Sequence, residues 1–198
     1  PSIYFTLDAR DNYKKIIKGD KFLVWTTTPW CIPGNLAIAV GKEIEYSRIS
    51  IKNNFYWIAT DRLFEMKDHE IEIVDVSYGK DLIGASYIPA YNEYEHLFKE
   101  GAFRIIHSDD TNTESGSGLV SQAPAYGESD FYALKNANID VIADPVTLSG
   151  RFDSTFKELN GLNVKDADKL IMDQLEERGN LFSRTSEMHS YPFCWRTG

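Results

Sequence analysis

Apolar and polar residues alternate in short runs along most of this chain. Ile3, Phe5 and Leu7 alternate with Tyr4 and Thr6, which predicts a strand from Ser2 to Leu7. Phe22 to Thr26 is a compact apolar run that reads as a buried strand, and Leu36 to Val40 reads as the next. Two alternating runs in IEYSRISIKNNFYWIAT flank Asn53-Asn54, and because asparagine tolerates positive φ the pair predicts a hairpin. Further strands are expected in EIEIVDVS from Glu70, in AFRIIHS and in SGLVSQAP, the last two separated by the polar turn DDTNTESG. GASYIPAY, with a glycine and a proline close together, marks a bend and an edge.

Helical periodicity is rarer. ARDNYKKIIKGD reads as a polar connection with one helical turn ended by Gly19, and Asp61 to Met66 reads as a short helix. Phe131, Leu134 and Lys135 follow at helical spacing from a start near Glu128. The clearest helix runs from Val164 to Arg178, with Asn163 as N-cap, a stripe of Ala167, Leu170, Ile171 and Leu175, and Gly179 as its stop. Short strands that do not alternate regularly with helices disfavour a doubly wound parallel sheet. They predict a mixed α/β fold with a barrel-like β core and a few peripheral helices, formed as a single domain over residues 1–198.

Composition adds exclusions. With 42% hydrophobic and 26% charged residues, the disordered and fibrous classes drop out. No apolar run approaches the ~20 residues a bilayer needs, so no membrane partner is expected. The start PSIYFTLDAR and the finish SYPFCWRTG are both abrupt, which predicts a piece of a larger protein. Cys31 and Cys194 show no disulfide or metal spacing and read as reduced thiols of a cytoplasmic protein. His69, His96, His107 and His189 are scattered, so no metal is expected. The net charge of −9 argues against broad electrostatic binding of nucleic acid, while leaving a local RNA contact open. Lys14, Lys15, Lys18 and Lys21 read as a solvated helix face.

Two segments look unlike packing material. In FLVWTTTPWCIPGNLAIAV a strand ends in three threonines at a Pro-Trp corner, which presents neutral hydroxyls at a strand tip. In SGSGLVSQAPAYGESDF glycines flank a strand, Ala-Pro breaks it, and Asp130 falls near a helix start. Asp130 has two readings, helix capping or a carboxylate that meets a ligand's ammonium group. The threonines likewise are either strand residues or a cradle for a water or an ester. A covalent serine mechanism is disfavoured, since Ser121 lacks a G-x-S-x-G elbow. SGSG is not a phosphate loop, because the Lys-Ser/Thr that should follow is missing.

Together the two segments resemble the editing domain of isoleucyl-tRNA synthetases, the insertion called connective peptide 1. The family's W-T-T-T-P-W-T-L-P-x-N stands here as Trp25 to Asn35, and its G-T-G-I-V-H-x-A-P-x-F-G-x-x-D stands as Gly116 to Asp130. GLNVKDADKLIMDQLEERGNL from Gly161 and HSYPFCWRTG from His189 resemble the family's return to its catalytic body. Pro29-Trp30 is similar to the isoleucine branch, since valyl and leucyl relatives carry an Arg before the Pro and an acidic residue after it.

The resemblance implies a function set by a limit of recognition. A hydrophobic pocket gains only about 1–3 kcal/mol from one methylene, a limit for which isoleucine against valine is the standard example. A second site then hydrolyses Val-tRNA(Ile). The implied catalytic groups are Thr27, Thr28 and Asp130, with Asp130 holding the valine ammonium. The implied substrate-binding groups are Thr26, Trp30, Cys31, Asn35, Ser121, Gln122, Ala123, Pro124 and Tyr126. The implied partners are the tRNA(Ile) 3′ end carrying mischarged valine and the rest of the synthetase. No cofactor belongs to this domain, ATP and Mg being expected only in the parent body. Ser121 stands where the family has His, and Cys31 where it has Thr. The first departure makes a weakened editing module, or a tRNA-end-binding module, the alternative reading. A domain of the valyl branch acting on threonine is a third.

Overall fold

The computed structural model describes residues 2–185, so the His189 motif and Cys194 lie outside the described residues. Nine strands pair into one mixed sheet: β1 (Ser2–Asp8), β2 (Lys21–Thr26), β3 (Ala37–Val40), β4 (Glu45–Ile51), β5 (Asn54–Ala59), β6 (Glu72–Tyr78), β7 (Arg104–His107), β8 (Val120–Gln122) and β9 (Leu181–Thr185). Helices are few: α1 (Gly79–Leu82), α2 (Glu128–Asn136) and α3 (Val164–Glu177), with 3-10 turns at Pro29–Gly34, Thr60–Met66 and Glu95–Glu100. This is the mixed, barrel-like β core that the strand pattern predicts.

β2 organises the sheet. Along one edge it pairs antiparallel with β1 over its whole length, from Asp8↔Lys21 to Ile3↔Thr26. Its other edge is shared. Lys21 and Phe22 run parallel to β5 (Tyr56, Trp57), whereas Trp25 runs parallel to Val120 of β8. The sheet therefore forks at β2, with β4 and β6 beyond β5, and β3 and β7 beyond β8. Both faces of β2 are covered. Phe22 and Val24 join the main core with Phe5, Leu36, Trp57 and Ile171, while Leu23 packs on the opposite face with Tyr4, Ile49, Ile58 and Met66. Two covered faces explain why Phe22-Leu23-Val24 reads as a continuous apolar run rather than an alternating one.

One ion pair, Asp20 with Arg48, is buried at this hub. Asp20 accepts hydrogen bonds from Arg48 Nε (2.8 Å) and Nη2 (2.7 Å), from the Trp57 indole (3.0 Å) and from the Ile17 N–H (3.0 Å). Four donors offset the cost of taking the carboxylate out of water.

Several local expectations change. The hairpin turn is Lys52-Asn53, one residue earlier than the asparagine pair suggested, with φ of 48° and 66°, and Asn54 already pairs with Ile51. Positive φ at both central positions is the type I′ turn, which matches strand twist, and the register of the flanking strands overrides the preference for Asn-Asn. No helical turn forms between Ala9 and Asp20. Tyr13 and Ile16 exchange backbone hydrogen bonds (3.0 and 2.8 Å), and Lys14 takes a φ of 50°, which no helix accepts. The lysines consequently do not line a helix face: Lys14 pairs with Asp81 (3.1 Å), Lys15 with Asp75 (2.7 Å) and Lys21 with Asp8 (2.8 Å). β9, α1 and the 3-10 turn at Pro29–Gly34 were not marked by the periodicity, being short or paired only at long range. The helix expected from Val164 ends at Glu177, and Asn163 accepts the Lys165 N–H as its N-cap. No helix among the described residues is long and apolar enough to cross a membrane.

Candidate functional site

The threonines leave β2 in a tight local turn. Thr26 Oγ1 accepts the Thr28 N–H at 3.1 Å and lies 3.4 Å from Thr28 Oγ1. Such hydroxyl-to-backbone bonding diverts the chain from the strand ladder. Pro29 then opens the 3-10 turn at its first position, where the missing N–H costs nothing. The Cys31 N–H returns to the Thr28 carbonyl at 3.0 Å, and Trp30 and Cys31 are half-buried on this turn.

The second segment is built around β8. Arg62 donates to the Gly116 carbonyl (2.7 Å) and Tyr46 to the Gly118 carbonyl (2.7 Å), which fixes the glycine-rich approach. Ser121 then pairs with Ile38 of β3. Asn35 is buried and fully engaged: its Nδ2 donates to Ser121 Oγ (2.9 Å) and the Ala37 carbonyl (2.8 Å), and its Oδ1 accepts the Tyr87 hydroxyl (2.6 Å). Gln122 is buried as well, its carbonyl accepting the Leu36 N–H at 2.9 Å. After Ala123 and Pro124, both buried, the chain turns into α2, and Asp130 reaches back so that its Oδ2 accepts the Ala123 N–H at 2.8 Å. Gly127 permits this fold-back, because a Cβ there would stand 2.8 Å from Asp130 Cγ.

The two segments interlock. The Trp30 and Tyr126 rings lie 4.9 Å apart, and a Cβ on Gly34 would meet Tyr126 Cε2 at 2.9 Å. Thr26, Thr28, Trp30, Cys31, Tyr126 and Asp130 thus gather at the adjacent ends of β2 and β8. Thr27, between two members of this group, is half-buried. Asn35, Gln122, Ala123 and Pro124 form the packed support behind it.

The electrostatics follow from burial. Burial raises the Asp130 pKa against the lowering effect of the Ala123 N–H and Ser129 hydroxyl, and Asp110 adds to the rise. Asp168 is also raised by burial, with the Trp30 N–H opposing. Burial pushes the Cys31 thiol up to about 12 despite its contact with the Thr28 hydroxyl, and the charges of Asp130 and Asp168 push the same way. Cys31 is therefore a neutral thiol near pH 7 and not a nucleophile. Burial and the neighbouring Asp144 likewise keep the Tyr126 phenol protonated. The site offers neutral hydroxyls, a neutral thiol and carboxylates, a set suited to orienting a polar ligand and a water rather than to covalent attack.

Asp168 and Tyr87 escaped the sequence reading. The signal for Asp168 was present: an aspartate three and seven positions before Ile171 and Leu175, on the apolar face of α3. Tyr87, fully buried, opens the YIPAY stretch, which resembles the family's Y-x-P-L-F and is marked in the sequence as a bend and an edge, without its phenol being singled out. A groove of about 1030 Å³ lies elsewhere, between α2 and β7, lined by Arg104, His107, Ser129, Tyr132 and Asn136 among others. None of Thr26, Thr27 or Thr28 lines it.

No protein-family model matches the chain. It is 41% identical over 186 residues to the isoleucine-tRNA ligase of Bdellovibrio bacteriovorus, covering 88% of this chain and 17% of that protein. It is 37% identical over 201 residues to the enzyme of Protochlamydia amoebophila, covering 100% of this chain and 19% of that one. It is 38% identical over 213 residues to the cytoplasmic enzyme of Saccharomyces cerevisiae, with 96% and 20% covered. The chain thus spans about a fifth of the length of the curated relatives it matches. Among solved structures, GlLeuRS-CP1 superposes with a TM-score of 0.69 at 12% identity, covering 96% of this chain and 100% of that one. The Plasmodium knowlesi (P.knowlesi) cytosolic leucyl-tRNA synthetase editing domain gives 0.68 at 9% identity, covering 91% and 95%. At such low identity the structures establish the fold, and the sequence relatives establish the branch. The chain is the counterpart in sequence of a segment of the isoleucine-tRNA ligases, and it has the fold of the leucyl-tRNA synthetase editing domains.

Proposed function

We propose that this chain is a single hydrolytic proofreading domain, 1–198, of a cytoplasmic isoleucyl-tRNA synthetase, and that it cleaves valine from Val-tRNA(Ile). The observation that carries this reading is the convergence of the threonine turn with the Asp130 turn, interlocked through Trp30 and Tyr126. Asp130 pairs with the α-ammonium of the misattached valine, a charge-assisted contact that also favours its ionised form. The Thr27 and Thr28 hydroxyls orient the attacking water and donate to the oxyanion that forms at the ester carbonyl. Thr26, Trp30, Cys31 and Tyr126 surround the aminoacyl group. Asn35, Ser121, Gln122, Ala123 and Pro124 hold the wall against which the tRNA end lies. ATP and Mg belong to the synthetic site of the parent enzyme, and its remaining chain supplies the rest of the tRNA contact.

The test is deacylation of Val-tRNA(Ile) and Ile-tRNA(Ile) by the parent-length enzyme carrying this domain. The wild type cuts the first and spares the second. Replacing Thr27 and Thr28 together by Ala lowers the Val-tRNA rate about a hundredfold or more; an unchanged rate overturns the mechanism. A second reading is favoured by the Asn35–Ser121 hydrogen bond (2.9 Å), which engages the serine hydroxyl within the wall. In that reading the domain binds the tRNA end and edits weakly. It predicts background cleavage of both substrates by the wild type and discrimination only after Ser121→His.

A further inference from the structure

The 3-10 turn at Pro29–Gly34 begins with an orphan donor. Helix starts leave their first N–H groups without partners inside the helix. Proline has none to satisfy, so the first in need is that of Trp30. The ordinary acceptor is the side chain at the N-cap, here Thr28. Its hydroxyl makes no cap hydrogen bond and instead meets Thr26 Oγ1 and the Cys31 thiol. The Trp30 N–H goes to Asp168 Oδ1 at 2.8 Å, across 138 sequence positions.

Asp168 stands where packing alone selects an apolar side chain. With Ile171 and Leu175, both fully buried, it occupies one face of α3 at i, i+3 and i+7, and α3 packs on this turn. A half-buried carboxylate there carries a desolvation cost, which the Trp30 N–H offsets in part.

We propose that Asp168 is a positioning residue of the candidate site: by capping the 3-10 turn from α3, it frees the Thr28 hydroxyl from capping and holds it beside Thr26 and Cys31. The proposal rests on the reading that the chain hydrolyses an aminoacyl ester with Thr28 as one of its working groups. Without Asp168, the Trp30 N–H competes for the Thr28 hydroxyl, which caps it only part of the time and is drawn away from the ligand toward the backbone.

Two measurements on the 198-residue chain test this. The first is hydrogen exchange at the Trp30 amide, followed by NMR. Asp168→Ala accelerates it about tenfold or more, and Asp168→Asn, whose amide oxygen accepts the same N–H, leaves it protected. Equal protection in Asp168→Ala and the wild type overturns the cap. The second is deacylation of Val-tRNA(Ile), repeated in the parent-length enzyme. Asp168→Ala lowers kcat about ten- to a hundredfold at nearly constant KM, and Asp168→Asn restores it to within about threefold. An unchanged kcat, or a change confined to KM, overturns the positioning role. Asp168→Leu completes the apolar face without accepting a hydrogen bond; if Asp168→Ala unfolds, this variant folds and shows the same kcat loss, and wild-type kcat in it overturns the proposal. A wild type that leaves Val-tRNA(Ile) intact overturns the editing reading and the role of Thr28 with it, while Trp30 exchange still decides whether Asp168 is the cap.

Discussion

Burial raises the pKa of Asp130, so the folded state holds a proton there more readily than the unfolded chain does. The stability this group contributes is therefore full below the unfolded carboxylate value, about 3.9, and is lost as pH rises through the higher folded value. The ionised carboxylate that a ligand ammonium requires is, at neutral pH, a cost to the fold. Asp130→Asn retains an oxygen for the Ala123 N–H and removes the charge. It is expected to unfold at a higher temperature than the wild type at pH 7 and at the same temperature near pH 3, while valyl ester hydrolysis is lost. Thermal melts at the two pH values check the sign, and a destabilised Asn variant at pH 7 contradicts it. Cys31 differs in kind. Its thiol stays protonated near pH 7, so the residue acts through shape and through its contact with Thr28.

At the level of elements, the β4–β5 hairpin shows how much a local pattern carries. The alternation of the two strands was legible, and so was the turn between them. The turn's register was not, because it is set by which faces of β4 and β5 meet the sheet and not by the asparagines themselves. Lys52 consequently sits at a φ of 48°, a conformation that side chains other than Asn and Gly resist. Replacing Lys52-Asn53 by Asn-Gly is expected to stabilise the protein by about 1 kcal/mol, read as a higher urea midpoint with an unchanged slope. The site divides in the same way. The threonine turn and the Asp130 turn are each written in a contiguous stretch. Their union is not, since it depends on the parallel pairing Trp25↔Val120 and on the Trp30–Tyr126 contact, both made across long loops. Asp168 was hidden for a related reason: a helix periodicity places it on the buried face and says nothing of the backbone it meets there.

For the whole molecule, the fork at β2 makes one edge serve two wings, and the Asp20 network stands at the root of one of them. Asp20 gathers Arg48 of β4, Trp57 of β5 and the Ile17 backbone. Asp20→Ala leaves Arg48 buried without its counter-charge and is expected to cost about 3–5 kcal/mol, seen as a fall in denaturation midpoint; a cost below about 1 kcal/mol would show that water reaches Arg48. On the far edge of β1 lies a different consequence. Ser2 pairs with Thr185, so the first and last described strands run side by side in opposite directions. Antiparallel partners sit about 5 Å apart, and chain attached at Ser2 and at Thr185 departs from a single place. A pull applied at Ser2 and Thr185 loads the β1–β9 ladder one hydrogen bond at a time, peeling it before the threonine turn feels any strain.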